Sequence, residues 1–451
     1  MRRLAAALLI ASLLGLASAQ VQVRWFVGLG AGTDEPTIAA QQAVVDSFNA
    51  SQSDIRLVLE IVDNAQAYDI LATQIAAGNA PDIVGPVGIR GRSAFPGAWR
   101  DLSDLIDASA YDLSDFDPAL VDFYRIEGEG LIGIPFAVFP SYMTYNVALF
   151  DEAGLPYPPS RYGEPYVTVD GESVPWDLDA LRDLAMLQTV DANGNDATMD
   201  GFDPDNIVQW GFGAMWTDIR GRLTKFGAGN FVDEDGNAVI PEAWAFGAQW
   251  LHDAMWRDHF HPNGPYGGST LLGDGNWFES GNLAMAHTHL WYQACCMFAL
   301  QDEWALAAMP AGVDGTVTAK LHADTFAITT ASRNPEAAFE ALAYLLSPEV
   351  AGRLAAIYGG MPARLSLQDA YLDQFAASTF PDRDVDWTIV SDSLSFPDNP
   401  SHEEGMPAFR EAEALYNAFA QRLENERDLD VSAGLAALRA ELQILFDAAR
   451  R

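Results

Sequence analysis

The sequence predicts an α/β protein built on a parallel, doubly wound sheet, and three observations carry that prediction. The chain opens in a β-α-β-α-β order: Gln20 to Val27 sets Val21, Val23, Trp25 and Val27 against Gln22, Arg24 and Phe26, Ile55 to Val62 is a second apolar run, and Pro81-Asp82-Ile83-Val84 is a third. The stretches between these runs keep helical spacing and are punctuated by glycine. The chain is 451 residues long and 49% apolar, enough to give two or three domains a full core.

The first nineteen residues are read apart from the fold. Arg2 and Arg3, the apolar Leu4 to Leu16 and the small Ala17-Ser18-Ala19 form a secretory signal peptide covering 1–19. No cysteine follows it directly, so the expectation is an exported, extracytoplasmic protein without a lipid anchor. No later apolar run reaches about 18 residues. The formal net charge of −38 repels nucleic acid and anionic lipid and disfavours an anionic ligand. With 63 Asp and Glu residues, acid pairs arise by chance, so spacing alone names no glycosidase dyad.

Gly28-Leu29-Gly30-Ala31-Gly32 follows the first strand, and Thr33-Asp34-Glu35-Pro36 starts a helix that carries Ile38, Val45 and Phe48. The loop lacks the third glycine of a dinucleotide fingerprint. It is read instead as a place where backbone approaches a ligand, with Gly30 at its centre. Asp63-Asn64 ends the second strand, and Tyr68, Leu71 and Ile75 mark a helix stopped by Gly78. Ligands of doubly wound sheets lie beyond the carboxyl ends of the strands, which makes Asn64 and Arg90 candidates.

The most informative stretch is Asn276 to Trp291, N-W-F-E-S-G-N-L-A-M-A-H-T-H-L-W, read as an aromatic turn of helix, a glycine stop, a buried strand and a loop. Its Phe278, Gly281, Ala284-Met285 and Trp291 resemble a landmark of the sugar-type (family 1) extracellular solute-binding proteins of ABC importers, the maltose-binding-protein-like class. AAGNAPDIV, LSDLID, LIGIPFAVFPSYMTYNVALFDEAGL, PWDLDALRDLA and the Tyr358 to Arg364 turn, YGGMPAR, resemble successive segments of that family. The resemblance implies two α/β lobes, each a mainly parallel sheet flanked by helices, joined by three hinge crossings. It implies an N-lobe of 20–134 plus 322–360 and a C-lobe of 135–321 plus 361–451, with the first crossing at Ile134-Pro135.

The same resemblance implies Trp291 as a platform beneath a sugar and Trp216, from Trp210-Gly-Phe212-Gly-Ala-Met-Trp216, as a second. An indole face covers the C–H patch of a pyranose while polar groups meet its hydroxyls. Phe139, Ser141 and Tyr142 follow the crossing and are placed in the cleft, Tyr142 with core burial as the equal alternative. Asp324 stands on the strand returning to the N-lobe. Gly359 and Arg364 belong to the third crossing, where Arg364 holds either protein or sugar.

Two patterns invite metal. Asp191, Asn193 and Asn195 resemble the opening of a calcium loop, but Asp196 stands where glycine is needed and Phe202 where glutamate is needed. A structural calcium is therefore a weak expectation beside a solvated turn. His287 and His289 alternate on one strand face, with Cys295-Cys296 behind, a spacing poor for zinc. The two cysteines are either a vicinal disulfide, offering a flat apolar plate, or reduced buried thiols.

The expected function is capture of a neutral mono- or oligosaccharide between two lobes and its delivery, as a monomer, to the transmembrane permease subunits of an ABC importer. No cofactor and no nucleic-acid partner are expected. The competing class is an exported carbohydrate-active enzyme. It would need a nucleophile or an acid/base pair in fixed relation, and no Gly-x-Ser-x-Gly or Ser-His-Asp order is present.

Overall fold

The computed structural model describes residues 20–30, 32–33, 35–126, 128–402 and 404–450, with the side chains of Pro36, Ile89 and Arg90 outside the description. The signal-peptide reading and the side chain of Arg90 therefore lie outside the described residues. No helix among the described residues is long and apolar enough to cross a membrane.

A ten-stranded sheet runs through the molecule. Its strands are β1 (Val21–Val27), β2 (Ile55–Ile61), β3 (Ile83–Gly88), β4 (Ile134–Asn146), β5 (Val190–Asp191), β6 (Ile207–Ala214), β7 (Leu283–His289), β8 (Trp304–Ala307), β9 (Leu321–Ile328) and β10 (Met361–Pro362). The order is β2-β1-β3-β9-β4-β7-β6-β5, with β8 and β10 also paired to β4. Pairing is parallel within the β-α-β portions, β1 with β2 and β3, and β6 with β7. It is antiparallel where β9 and β4 run through the middle.

The opening elements form as their residues dictate. Helix Asn64–Ala76 starts on Asp63, whose carboxylate accepts the Ala65 N–H, and stops before Gly78, which sits at φ 68°, where glycine alone is unstrained. Beneath the sheet Trp25 is fully buried, its Nε1 donating to Gly85 O at 2.7 Å. The terminal helix Val431–Ala449 starts on Asp430 and buries Leu435, Leu438, Leu442 and Phe446, each worth ~2 kcal/mol in transfer terms.

The strand that joins the two halves is β4, buried along its whole length. Its Ile134–Pro140 portion pairs with β9 and its Ser141–Asn146 portion with β7 and β8. The change of partners thus falls between Pro140 and Ser141, within one uninterrupted strand that serves both halves. Pro135 and Pro140 donate no ladder bond. The Ile134 carbonyl instead accepts the Thr325 hydroxyl at 2.6 Å. The two halves also meet at Arg410 and Asp69, 3.3 Å apart, and at Gly405, where a Cβ would lie 2.8 Å from Ser93 Oγ.

Candidate functional site

A cleft of about 380 Å³ opens beside the hinge, lined by Trp216, Thr217, Asp218, Arg220, His322, His402, Glu413 and Asn417. Two hollows of similar size lie elsewhere. One sits between helix Glu242–Trp256 and the terminal helix, the other beneath the Tyr166–Val174 hairpin. The cleft is distinguished by joining a hinge strand, an aromatic wall and charged groups, and so is taken as the site.

The aromatic wall comes from two strand ends. Trp216 follows β6, is 44% exposed and takes φ 40°, a strained value for a non-glycine residue. Its Nε1 donates to Gly275 O at 3.2 Å. Trp291 lies in the first turn of a short helix, Leu290–Cys295, rather than in the expected loop. The two indoles stack with centroids 6.0 Å apart and planes 10° from parallel. At that separation nothing fits between them, so they form one continuous platform and not two jaws.

From Trp291 a row of imidazoles runs along the wall. His289 lies 4.1 Å from the Trp291 ring, His322 5.1 Å from His289 and His402 5.0 Å from His322, ring centre to ring centre. Burial, with Lys320 nearby, pushes the His287 and His289 imidazoles far below their ordinary range, so both are neutral. The ring nitrogens of both are buried with no hydrogen-bond partner among the described residues, as is Ser141 Oγ. Lys225, also buried, is pushed well down by desolvation and by Lys320. Its ammonium donates to Arg222 O at 2.8 Å and lies over the Phe212 and Phe226 rings.

Cleft charges are matched. Burial would raise the Asp218 carboxyl, but Arg220 and His402 beside it and the Gly221 N–H bring it to about 2. Arg220 Nε sits 3.3 Å from Asp218, and its guanidinium lies over the Phe409 and Tyr416 rings. His402 is paired with Asp398 at 2.5 Å.

Of the residues singled out in the sequence, Trp216 lines the cleft and Trp291 stacks on it. Gly30 and Asp324 meet on the opposite half, where a Cβ on Gly30 would lie 3.2 Å from Asp324 Oδ2. Asn64 steadies that loop by donating to Gly28 O at 2.9 Å. Three candidates turn out to be packing. Tyr142 is fully buried, its hydroxyl donating to Gln293 at 2.9 Å. Phe139 fills the space left by Gly360. Gly359 has no open face, since a Cβ there would come within 2.1 Å of Ala294 Cβ.

Arg364 is likewise fully engaged by protein: Leu346 O at 2.7 Å, Asp115 at 3.0 Å and Tyr111 Oη at 2.9 Å. The Asp191 carboxylate accepts N–H groups from Asn193, Asn195 and Asp203, so amide donors occupy the oxygens a calcium ion would use. Cys295 and Cys296 are joined as a disulfide. They do not line the cleft; the Cys296 carbonyl accepts from Asn276, whose own carbonyl accepts the Tyr292 hydroxyl behind the platform.

Sequence reasoning missed Asp218, Arg220, His322, His402, Glu413 and Asn417. Asp218 and Arg220 follow Trp216 directly, and His322 shares a strand face with Asp324, signals that were available. Nothing local marks His402, Glu413 or Asn417, which reach the cleft through chain reversals far from any motif.

The profile of the bacterial extracellular solute-binding proteins matches residues 43–380, and the chain belongs to that family. No curated protein sequence matches it. Its fold is similar to that of Mycobacterium tuberculosis UspC, at 23% identity and TM-score 0.66 over 95% of this chain and 100% of that one. An ABC substrate-binding protein of Listeria monocytogenes in complex with cycloalternan is similar at 17% identity and TM-score 0.72, over 94% of this chain and 98% of that one. Mycobacterium tuberculosis UgpB in complex with glycerophosphocholine is similar at 16% identity and TM-score 0.69, over 96% of this chain and 100% of that one.

Proposed function

We propose that this exported protein captures a neutral sugar or oligosaccharide in the cleft, returns it unchanged and delivers it, as a monomer, to an ABC permease. The observation that carries the reading is the stacked Trp216–Trp291 platform beside polar groups whose charges are already paired within the protein. An indole surface suits the C–H face of a pyranose, and dipolar or paired groups suit its hydroxyls. With Arg220 on Asp218 and His402 on Asp398, an anionic ligand finds no uncommitted counter-charge in these pairs. Binding without turnover is supported by the family and by a cleft walled with indoles and imidazoles.

The lobe division at 134/135, 321/322 and 360/361 is part of the same proposal, with closure about β4 and β9 burying the ligand. The test is thermal unfolding against glucose, maltose, maltotriose, tagatose and glycerophosphocholine, with product analysis of each mixture. A midpoint that rises with the logarithm of sugar concentration, with the sugar recovered intact, supports the reading. A shift with glycerophosphocholine alone, or cleaved sugar, overturns it.

A further inference from the structure

We propose that His402 is the polar group by which the cleft grips a ligand hydroxyl, and that Asp398 is the residue that positions it; this rests on the sugar-binding reading. His402 lines the cleft yet its side chain is only 2% exposed. Its Nδ1 faces Asp398 Oδ2 at 2.5 Å, and the same oxygen accepts the His402 backbone N–H at 2.8 Å. The other Asp398 oxygen accepts the Leu321 N–H at 2.8 Å, at the start of the hinge strand β9. Asp398 is therefore held on both sides and cannot swing away.

An imidazole whose Nδ1 is committed to a carboxylate has its ring plane set and presents Nε2 in one direction. His322 packs edge-on against the ring, 87° from coplanar, which blocks rotation. The backbone just beyond is clamped as well: Glu404 O accepts Arg220 Nη1 at 3.1 Å and Asn230 Nδ2 at 2.9 Å. What this scaffold leaves over is Nε2, buried and without a hydrogen-bond partner among the described residues. A hydroxyl both donates and accepts, so it satisfies Nε2 in either protonation state of the ring. An ether oxygen or a C–H group does not. Asp398 and His402 thus set which ligand position must carry a hydroxyl.

The test uses His402→Asn and His402→Gln in the mature protein. An asparagine amide stands where Nδ1 stands and keeps the Asp398 contact but does not reach the Nε2 position, whereas glutamine reaches it. Dissociation constants are measured by calorimetry for whichever of glucose, maltose, maltotriose or tagatose the wild type binds, and ligand-free melting is recorded for each variant. The expected result is a weakening of about tenfold or more for His402→Asn, a smaller loss for His402→Gln, and melting close to wild type for both. Asp398→Asn should weaken binding in the wild-type background and add nothing on top of His402→Asn, a coupling that a purely structural role does not produce.

Undiminished binding by His402→Asn overturns the inference while leaving the sugar reading intact. Wild-type protein that binds none of glucose, maltose, maltotriose and tagatose overturns the sugar reading and this inference with it. Should Asp398→Asn fail to fold, the asparagine–glutamine comparison at 402 decides.

Discussion

Two buried polar clusters in this molecule are built on opposite plans. Around Arg364 every strong donor meets an acceptor: the Leu346 carbonyl, the Asp115 carboxylate and the Tyr111 hydroxyl, with Asp115 also capping Ser366. On β4 and β7, by contrast, Ser141 Oγ and the ring nitrogens of His287 and His289, and at the cleft Nε2 of His402, stay buried with no partner among the described residues. A buried polar atom without a partner costs about 1–3 kcal/mol, so these atoms subtract from stability rather than add to it. The first cluster is satisfied within the protein; the second leaves donors and acceptors buried without a partner among the described residues.

Breaking the closed cluster should give the largest effect. Arg364→Ala takes the guanidinium from Asp115, the Leu346 carbonyl and the Tyr111 hydroxyl, and a loss of about 2–3 kcal/mol in urea unfolding is expected, with sugar affinity of the folded protein little changed. If affinity falls in parallel, the crossing and the cleft are not separable. The open cluster should respond in the reverse sense. Trp291→Ala removes half the platform and is expected to cost ~2 kcal/mol of binding, roughly thirtyfold in Kd, while the ligand-free midpoint moves little.

Acid should separate the clusters next. Burial holds the imidazoles of His287 and His289 far below the ordinary value of 6.5, and that of His261 down to about 3. The unfolded chain takes up protons below about 6.5 where the folded chain does not, so the fold carries no protonation penalty at neutral pH and keeps its full stability there. That stability is lost as pH falls from about 6.5, at up to about 1.4 kcal/mol per pH unit for each imidazole. Asp218 and Asp258, held at about 2, add their loss only below about pH 4. Urea midpoints between pH 7.5 and 4.5 should decline, and His289→Gln should flatten the decline. An unchanged slope in that variant would mean the ring charges without penalty.

The smallest effect is expected from reduction of Cys295–Cys296. The ring it closes spans adjacent residues and restrains almost no unfolded chain, so the unfolding midpoint should move by less than about 1 kcal/mol. Any larger change would tie the pair to the Asn276–Tyr292 support of the platform.

Much of this protein was legible before any coordinates. The alternation of Val21 to Val27, the caps and glycine stops of the first helices, and the leucine face of the last one depend on neighbours a few residues away, and short-range rules read them correctly. That Trp216 and Trp291 follow apolar strands was legible too, and the structure stacks the two rings on each other. Tertiary structure alone decided the rest. Whether Tyr142, Phe139, Gly359 and Arg364 faced ligand or protein depended on what packed against them from distant segments: Gln293, Gly360, Ala294 and Asp115. His322, His402, Glu413 and Asn417 form one cleft surface only because β9, residues 398–402 and helix Phe409–Asn425 fold onto the same edge. Periodicity and turn chemistry are local, whereas a binding surface is assembled from contacts between segments that no local pattern records.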